Sequence, residues 1–314
     1  MEIRDFVEDH YKHFNAGELA RCTESLREFL SGGGRLIVTL AGAMSTAEIG
    51  RSLGPAIRQQ RVHAICCTGA NLEEDIFSLI SRSEYEKIPH WRQQSGKDDA
   101  KLAKRGLNRV TDVAIPESTI TKVGEKLMEL WEEAEAVDDS RFPHEYFYDL
   151  LLHGELEFSS PPENSWLMAA ADANLPIFTP GWEDSTIGNL LAARVLDCTL
   201  KSNSIVRTGL DAMQSLADWY REDDSPTGIL QVGGGISGDF AISVVPMLRQ
   251  DANVDVQLWS WFAQISESRP SYGGYSGAPP NEKISWGKLA LDTPSFVIES
   301  DASIVLPLIL SSLE

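Results

Sequence analysis

The sequence predicts a doubly wound α/β fold, a mainly parallel sheet with helices on both faces. Two short apolar runs, Arg35–Leu40 and Val62–Cys67, each end in small residues, Ala41-Gly-Ala-Met-Ser45 and Thr68-Gly-Ala70, that lead into a helical pattern. That is the strand–loop–helix unit of a parallel sheet, in which ligands sit at the carboxyl ends of the strands. Further strands are expected at Pro176–Thr179, Gly228–Val232, Val254–Trp261 and Ser295–Glu299, with helices between most of them. No repeat or low-complexity linker interrupts the 314 residues, so a single domain is expected over 1–314, opened by a helical segment over about 1–34.

The helical elements follow from spacing and stop signals. Across residues 5–31, Phe6, Tyr11, Phe14, Leu19, Cys22, Leu26 and Leu30 recur at intervals of three to five, mostly three or four, and Gly32-Gly-Gly34 ends the run. Charges crowd into Glu84–Arg105, which reads as a solvated insertion without chemistry of its own. Pro116-Glu-Ser-Thr119 opens a helix to about Ala136, a second covers Phe142–Leu152, and Ser159–Ser165 is a loop or cap before another from Trp166. The apolar stretch Ala302–Leu313 forms the last helix.

Composition narrows the function classes. A formal net charge of −20 argues against nucleic acid, whose phosphates would be repelled, and permits a cationic ligand. Cys22, Cys66, Cys67 and Cys198 show no metal-ligand spacing, and the six histidines form no paired motif, so no metal is expected. Met1–Asp9 lacks the basic start and apolar stretch of a secretory leader, and no stretch of eighteen apolar residues occurs. With reduced cysteines this reads as a soluble, cytoplasmic protein away from membranes. Neither a G-x-S-x-G elbow nor a Walker lysine is present.

The chemistry concentrates near the C-terminus. After the flexible loop Tyr272–Pro280, the segment Asn281-Glu-Lys-Ile-Ser-Trp-Gly-Lys288 sets a lysine beside an indole. An amine held against an aromatic wall is partly desolvated, and the neutral amine attacks a carbonyl or imine carbon. Lys288 is thus the candidate nucleophile, with Trp286 as its aromatic lid; a solvated lysine whose stem lies on a ring is the bland alternative. Gly233-Gly-Gly-Ile-Ser-Gly238, between the strand Ile229–Val232 and a helical run, satisfies the Rossmann-like G-x-G-x-x-G, with Asp251 or Asp255 about twenty residues on. A tight strand-to-helix turn would use the same glycines. Glu73-Glu74-Asp75 is either an acidic first turn or part of a site, and Asp184 is either a helix cap or a ligand.

Ser285-Trp-Gly-Lys288 after a Gly/Ser-rich loop resembles the lysine motif of the deoxyhypusine synthase family. Thr68-Gly-Ala-Asn-Leu-Glu-Glu-Asp75, Ile177-Phe-Thr-Pro-Gly-Trp-Glu-Asp-Ser-Thr-Ile-Gly188, Gly233-Gly-Gly235 and Asp301-Ala-Ser303 resemble further family segments in the same order. The resemblance implies an NAD site built from Ser45, Thr68, Gly69, Glu74, Asp184, Gly234, Gly235, Asp301 and Ala302, with Asp184 on a ribose hydroxyl. It implies transfer of an alkylamine group from a polyamine such as spermidine through an imine on Lys288, with Trp286 and Glu282 assisting. It also implies a homo-oligomer, a tetramer of tight dimers, in which Lys288 faces a cofactor held largely by the neighbouring subunit. Where the family holds its amine with carboxylates and a histidine, this chain has Asn189, Tyr275 beside Ser276, and Asp239. Those departures point to altered amine specificity, homospermidine-forming relatives included. A catalytically weak NAD or polyamine sensor is the leading rival reading, and a simple dehydrogenase a weaker one.

Overall fold

A computed structural model describes residues 2–313. Its strands are β1 (Arg35–Leu40), β2 (Ala64–Cys67), β3 (Glu86–Lys87), β4 (Leu107–Val110), β5 (Val113–Pro116), β6 (Ile177–Phe178), β7 (Thr227–Val232), β8 (Trp261–Ile265) and β9 (Ser295–Ile298). Six of them form one sheet in the order β6-β2-β1-β7-β8-β9, every pair parallel. Counted along the chain, the main-sheet strands therefore stand in the 3-2-1-4-5-6 order of a doubly wound dinucleotide fold. The chain winds outward from β1 in both directions, so the switch point lies between β1 and β7.

Before and between the strands run α1 (Ile3–His10), α2 (Phe14–Ser31), α3 (Gly50–Arg58), α4 (Gly69–Ser81), α5 (Gly96–Lys104), α6 (Glu117–Ala136) and α7 (Pro143–His153). They continue with α8 (Trp166–Asp172), α9 (Thr186–Leu196), α10 (Gly209–Arg221), α11 (Gly235–Ile242), the single turn α12 (Val244–Pro246), α13 (Pro280–Ser285) and α14 (Ala302–Ser311).

Alternation along the strands divides the core. Leu36, Val38 and Leu40 of β1, with Ile65, Leu230, Val232, Ala263 and Ile265, face the larger core shared with α2, α3, α4 and α14. Ile37, Cys66, Ile229 and Phe262 face the opposite core, filled by Leu216 and Trp219 of α10 and by Ala241 and Ile242 of α11. A sheet buried on both faces needs near-continuous apolar strands, because each such side chain contributes about 1.5–3 kcal/mol on burial. Thr39, Gln231 and Gln264 break that rule. They are fully buried neighbours across β1, β7 and β8, a polar row on the second face.

Three expectations are corrected. The first helix is interrupted at Phe14, which has a φ of +56°. There Asn15 ties both its amide groups to the backbone of Glu299, at 2.7 and 3.3 Å, and α1 turns to pack on α14. The charged insertion keeps its solvated helix, α5, but also supplies β3, which joins β4 and β5 in a small antiparallel sheet over Ile88, Leu107 and Ala114. A two-residue strand is too short to show a period. Finally, the strand expected at Val254–Trp261 begins only at Trp261. Val254, Val256 and Leu258 alternate because they pack on the second core, not because they join a ladder.

Three of the cysteines are buried and all four are free; burial pushes the Cys67 thiol up to about 12. Among the described residues no helix is long and apolar enough to cross a membrane, and no cluster of metal-ligating side chains occurs.

The loop after β1 is held by Asn71, fully buried at the start of α4. Its amide oxygen accepts from the Ser45 N–H at 3.0 Å, and its amide nitrogen donates to the Gly42 carbonyl at 2.9 Å and the Thr68 hydroxyl at 2.8 Å. Asn71→Ala should cost about 2–4 kcal/mol, because it strands several buried groups at once. Urea unfolding with an unchanged slope would measure it, and a loss under about 0.5 kcal/mol would remove Asn71 from this role.

Candidate active site

The lysine motif is first a helix stop. After α13, Trp286 is the C-cap and Gly287 adopts φ +67°, the left-handed conformation that glycine takes without a Cβ penalty. The Gly287 N–H donates to the Ile284 carbonyl and the Lys288 N–H to the Lys283 carbonyl, both at 3.0 Å. That pair of bonds is a Schellman motif, and it sends neighbouring side chains in opposite directions. Lys288 turns inward and is only 8% exposed, whereas Trp286 is 67% exposed. The indole is therefore not the wall against the amine, as the spacing implied. That wall is Tyr275, whose ring centroid lies 5.2 Å from the Lys288 Nζ. Asp239, an exposed residue on α11, puts Oδ1 at 3.3 Å from the same nitrogen.

These groups line a cleft of about 410 Å³ that also takes in Glu282, Trp286 and a second lysine, Lys283. Lys283 is 2% exposed and donates to the Ala278 carbonyl at 2.7 Å. Burial, with the charge of Lys288 adding to it, pushes its amine down to about 8. It passed unnoticed in the sequence because a lysine on a short polar helix carries no signal of burial.

The polar row of the sheet forms the floor beneath the cleft. The Gln231 amide nitrogen donates to the Tyr275 phenol oxygen at 2.7 Å and to the Gly238 carbonyl at 3.0 Å. The Gln264 amide nitrogen donates to the carbonyls of Ser276 and Gly233, at 3.0 and 3.2 Å. Burial raises the Tyr275 phenol well above its ordinary range, so the side chain stays a neutral hydrogen-bonding wall. Ser276 packs so closely on Gly234 that a Cβ there would lie 1.9 Å from its hydroxyl oxygen, and that hydroxyl accepts from the Gly235 N–H at 3.3 Å. The sequence left those N–H groups open to a pyrophosphate; the structure finds Ser276 beside them.

The remaining candidates gather along the carboxyl edge. At the switch point Gly233, with φ +79°, lies against Ala41, where a Cβ would come within 2.9 Å. The loop after β6 reaches the same end, since a Cβ on Gly181 would lie 2.9 Å from Ile236 of α11. Asp184 in that loop is exposed and makes no side-chain bond among the described residues; Ser185, not Asp184, caps α9. Ser45 is buried, its hydroxyl donating to the Asn71 carbonyl at 2.7 Å and accepting from the Trp166 indole at 2.9 Å, so it braces the loop from within. Thr68 caps α4 and donates to the Gly42 carbonyl at 2.6 Å, and Gly69 packs directly on Trp182 and Ser185. Asp301 caps α14, accepting from the Ser303 N–H at 2.8 Å, with Ala302 as the first helical residue. Asn189 turns its amide onto the carbonyls of Glu183 and Ser185, at 3.0 and 2.7 Å. Asn189 and Asp184 do not line the lysine cleft within one chain.

The acidic trio on α4 divides its work. Glu73 accepts from the N–H groups of Thr186 and Ile187, at 2.9 and 2.7 Å, anchoring the start of α9. Asp75 accepts from the Ser165 hydroxyl and the Leu167 N–H and anchors α8. Glu74 is left at the edge, bonded to Thr46. Burial pushes its carboxyl up to about 7, so it can carry a proton near neutrality. Its folded value lies above the ordinary 4.5, so its stabilising contribution is complete below that value and is lost as pH rises through about 7. Between about pH 5 and pH 8 the parent should lose about 1–3 kcal/mol that Glu74→Gln retains. Parallel urea-melt curves for parent and variant would contradict this.

Comparison with known proteins agrees with the geometry. The family model for deoxyhypusine synthase matches residues 7–313. A deoxyhypusine synthase-like protein of Nostoc sp. is 28% identical over 98% of this chain and 80% of its own length. A probable deoxyhypusine synthase 2 of Methanosarcina mazei is 29% identical over 88% of this chain and 76% of its own length. The crystal structure of a deoxyhypusine synthase candidate from Entamoeba histolytica superposes with a TM-score of 0.60 at 14% identity, over 99% of this chain and 92% of that one, which is a likeness of fold. With the ordered motifs on one edge of the sheet and the match running from residue 7 to residue 313, the chain belongs to the deoxyhypusine synthase family.

Proposed function

We propose that this chain is an NAD-dependent alkylamine transferase that carries the transferred group as an imine on Lys288. The observation that supports it most is the buried lysine itself, drawn into a cleft by a helix stop and faced by a carboxylate and a phenol ring. A lysine kept for solubility would not be buried beside Asp239.

NAD fits the carboxyl edge in the chemistry of its donors: a doubly wound switch point, a glycine turn opening α11, and the exposed Asp184 for a ribose hydroxyl. Gly234 and Gly235, Thr68, Gly69, Glu74, Asp301 and Ala302 would complete the shell, and Ser45 would support it from behind. Bound there, NAD would supply the reaction's hydride-transfer chemistry, taking up and giving back the hydride of the carbon beside the amine. The chain's own residues handle the rest. Asp239, 3.3 Å from the amine, takes the proton that Lys288 must lose before it can attack. Lys288 then displaces the departing amine, forming one C=N bond as the other breaks, and an acceptor amine later displaces the lysine in the same way. Glu282, Ser276 and Tyr275 orient the amine, and Trp286 covers the cleft when a neighbouring subunit closes over it. A homo-oligomer, a tetramer as in the family, would bring a second chain's Asp184 edge to this cleft, since one chain keeps the two apart. The free cysteines support a cytoplasmic setting.

Two observations favour the second reading, a weak relative that binds NAD or a polyamine as a sensor: Ser276 occupies the Gly235 N–H, and the Asn189 amide is turned onto its own loop.

Incubation with NAD and a panel of amines, then borohydride and peptide mass mapping, separates the two. The transferase reading expects a reduced adduct on Lys288, absent in Lys288→Ala and Lys288→Arg, since guanidinium stays protonated. In Asp239→Asn adduct formation should slow by about 10²-fold, as for loss of a general base. Normal turnover by Lys288→Ala would remove the intermediate from the account.

A further inference from the structure

Lys283 has no part in that scheme, yet it is the most buried charged side chain of the cleft. Its Nζ lies 5.0 Å from the Phe262 ring and 5.1 Å from the Tyr275 ring, with the Lys288 Nζ 5.2 Å from the latter. An ammonium carries three N–H donors. One is spent on the Ala278 carbonyl, and the others have no acceptor among the described residues. Within one chain the cleft's formal charges cancel, Asp239 and Glu282 against Lys283 and Lys288: Asp239 is paired with Lys288, which leaves Glu282 facing a cation it does not bond.

A polyamine needs surplus carboxylates, one for each ammonium it brings, and this cleft has spent its surplus on its own lysines. A ligand with one ammonium and one carboxylate meets it better, with the ammonium toward Glu282 and the carboxylate toward the free donors of Lys283. We propose that Lys283 makes this cleft selective for an amine that carries a carboxylate, of the ω-amino acid class, over a polyamine. The proposal rests on the lysine cleft being the amine site of the transferase, and it concerns binding, which can be read without turnover.

The two ligands that isolate the effect share one methylene spacer: 5-aminopentanoate ends in a carboxylate where putrescine ends in an ammonium. Calorimetry on the intact protein with NAD should find 5-aminopentanoate binding at least tenfold more tightly than putrescine, the scale of one charge-assisted hydrogen bond. Lys283→Met, and Lys283→Gln as a second neutral variant, should narrow or reverse that ratio by tenfold or more. In the parent the preference should also fade as pH rises through about 8, where Lys283 gives up its proton among Lys288, Glu282, Asp239 and the neutral Tyr275 phenol. A parent that prefers putrescine, a ratio unmoved in both Lys283 variants, or no measurable binding of either ligand would overturn the proposal. Should the selectivity appear while no borohydride adduct forms on Lys288, the transfer chemistry fails and the assignment of Lys283 stands.

Discussion

Two buried amides set the shape of this site. Gln231 and Gln264 sit side by side on β7 and β8, on a sheet face where every neighbouring strand residue but Thr39 is apolar. An amide buried without partners costs more than a hydrogen bond returns, so each must find acceptors in what covers it. What covers them is the glycine turn after β7 and the loop that carries Tyr275 and Ser276. Strand register thus decides where the loop lies, the loop decides where the phenol stands, and the phenol forms the wall against which both lysines rest. Thr39, third in the row, has a buried hydroxyl with no hydrogen-bond partner among the described residues.

A second constraint acts from the other half of the sheet. Three consecutive carboxylates on α4 would repel one another and suffer desolvation if left unpaired. Two of them meet this by accepting N–H groups at the starts of α8 and α9, where the helix dipole favours negative charge. Those bonds fix the loop that bears Asp184 relative to the turn that bears Thr68. Glu74 alone keeps freedom at the edge, with a carboxyl that holds its proton near neutrality. Stability and chemistry are divided within one helical turn.

Much of this could be read in advance, for physical reasons that differ by element. The parallel sheet was legible because strands buried on both faces are short, apolar and followed by small residues, as at Leu36–Leu40 and Ile65–Cys67. Ordered motifs marked the carboxyl edge because close backbone approach demands glycine, as at Gly233. Strand β8 was misplaced because Val254, Val256 and Leu258 alternate like a strand while packing on a core edge. Spacing alone sets Trp286 and Lys288 on one side, because it cannot register the left-handed turn at Gly287, which parts them. The burial of Asn71 and Lys283 is not legible in the sequence, because neither residue type announces it. Whether Ser45 faces a ligand or a neighbouring Trp166 likewise depends on a tertiary contact that adjacent residues do not encode.

If the sheet's amides hold the wall of the lysine cleft, Gln231 and Tyr275 are energetically coupled, which a double-mutant cycle on the pair measures. Gln231→Leu, Tyr275→Phe and the double variant would be compared in urea unfolding, each single change removing one side of the 2.7 Å bond. A coupling energy of about 1 kcal/mol or more is expected. Additivity within about 0.3 kcal/mol would mean that the loop is held by something else, and that the sheet does not set the cleft.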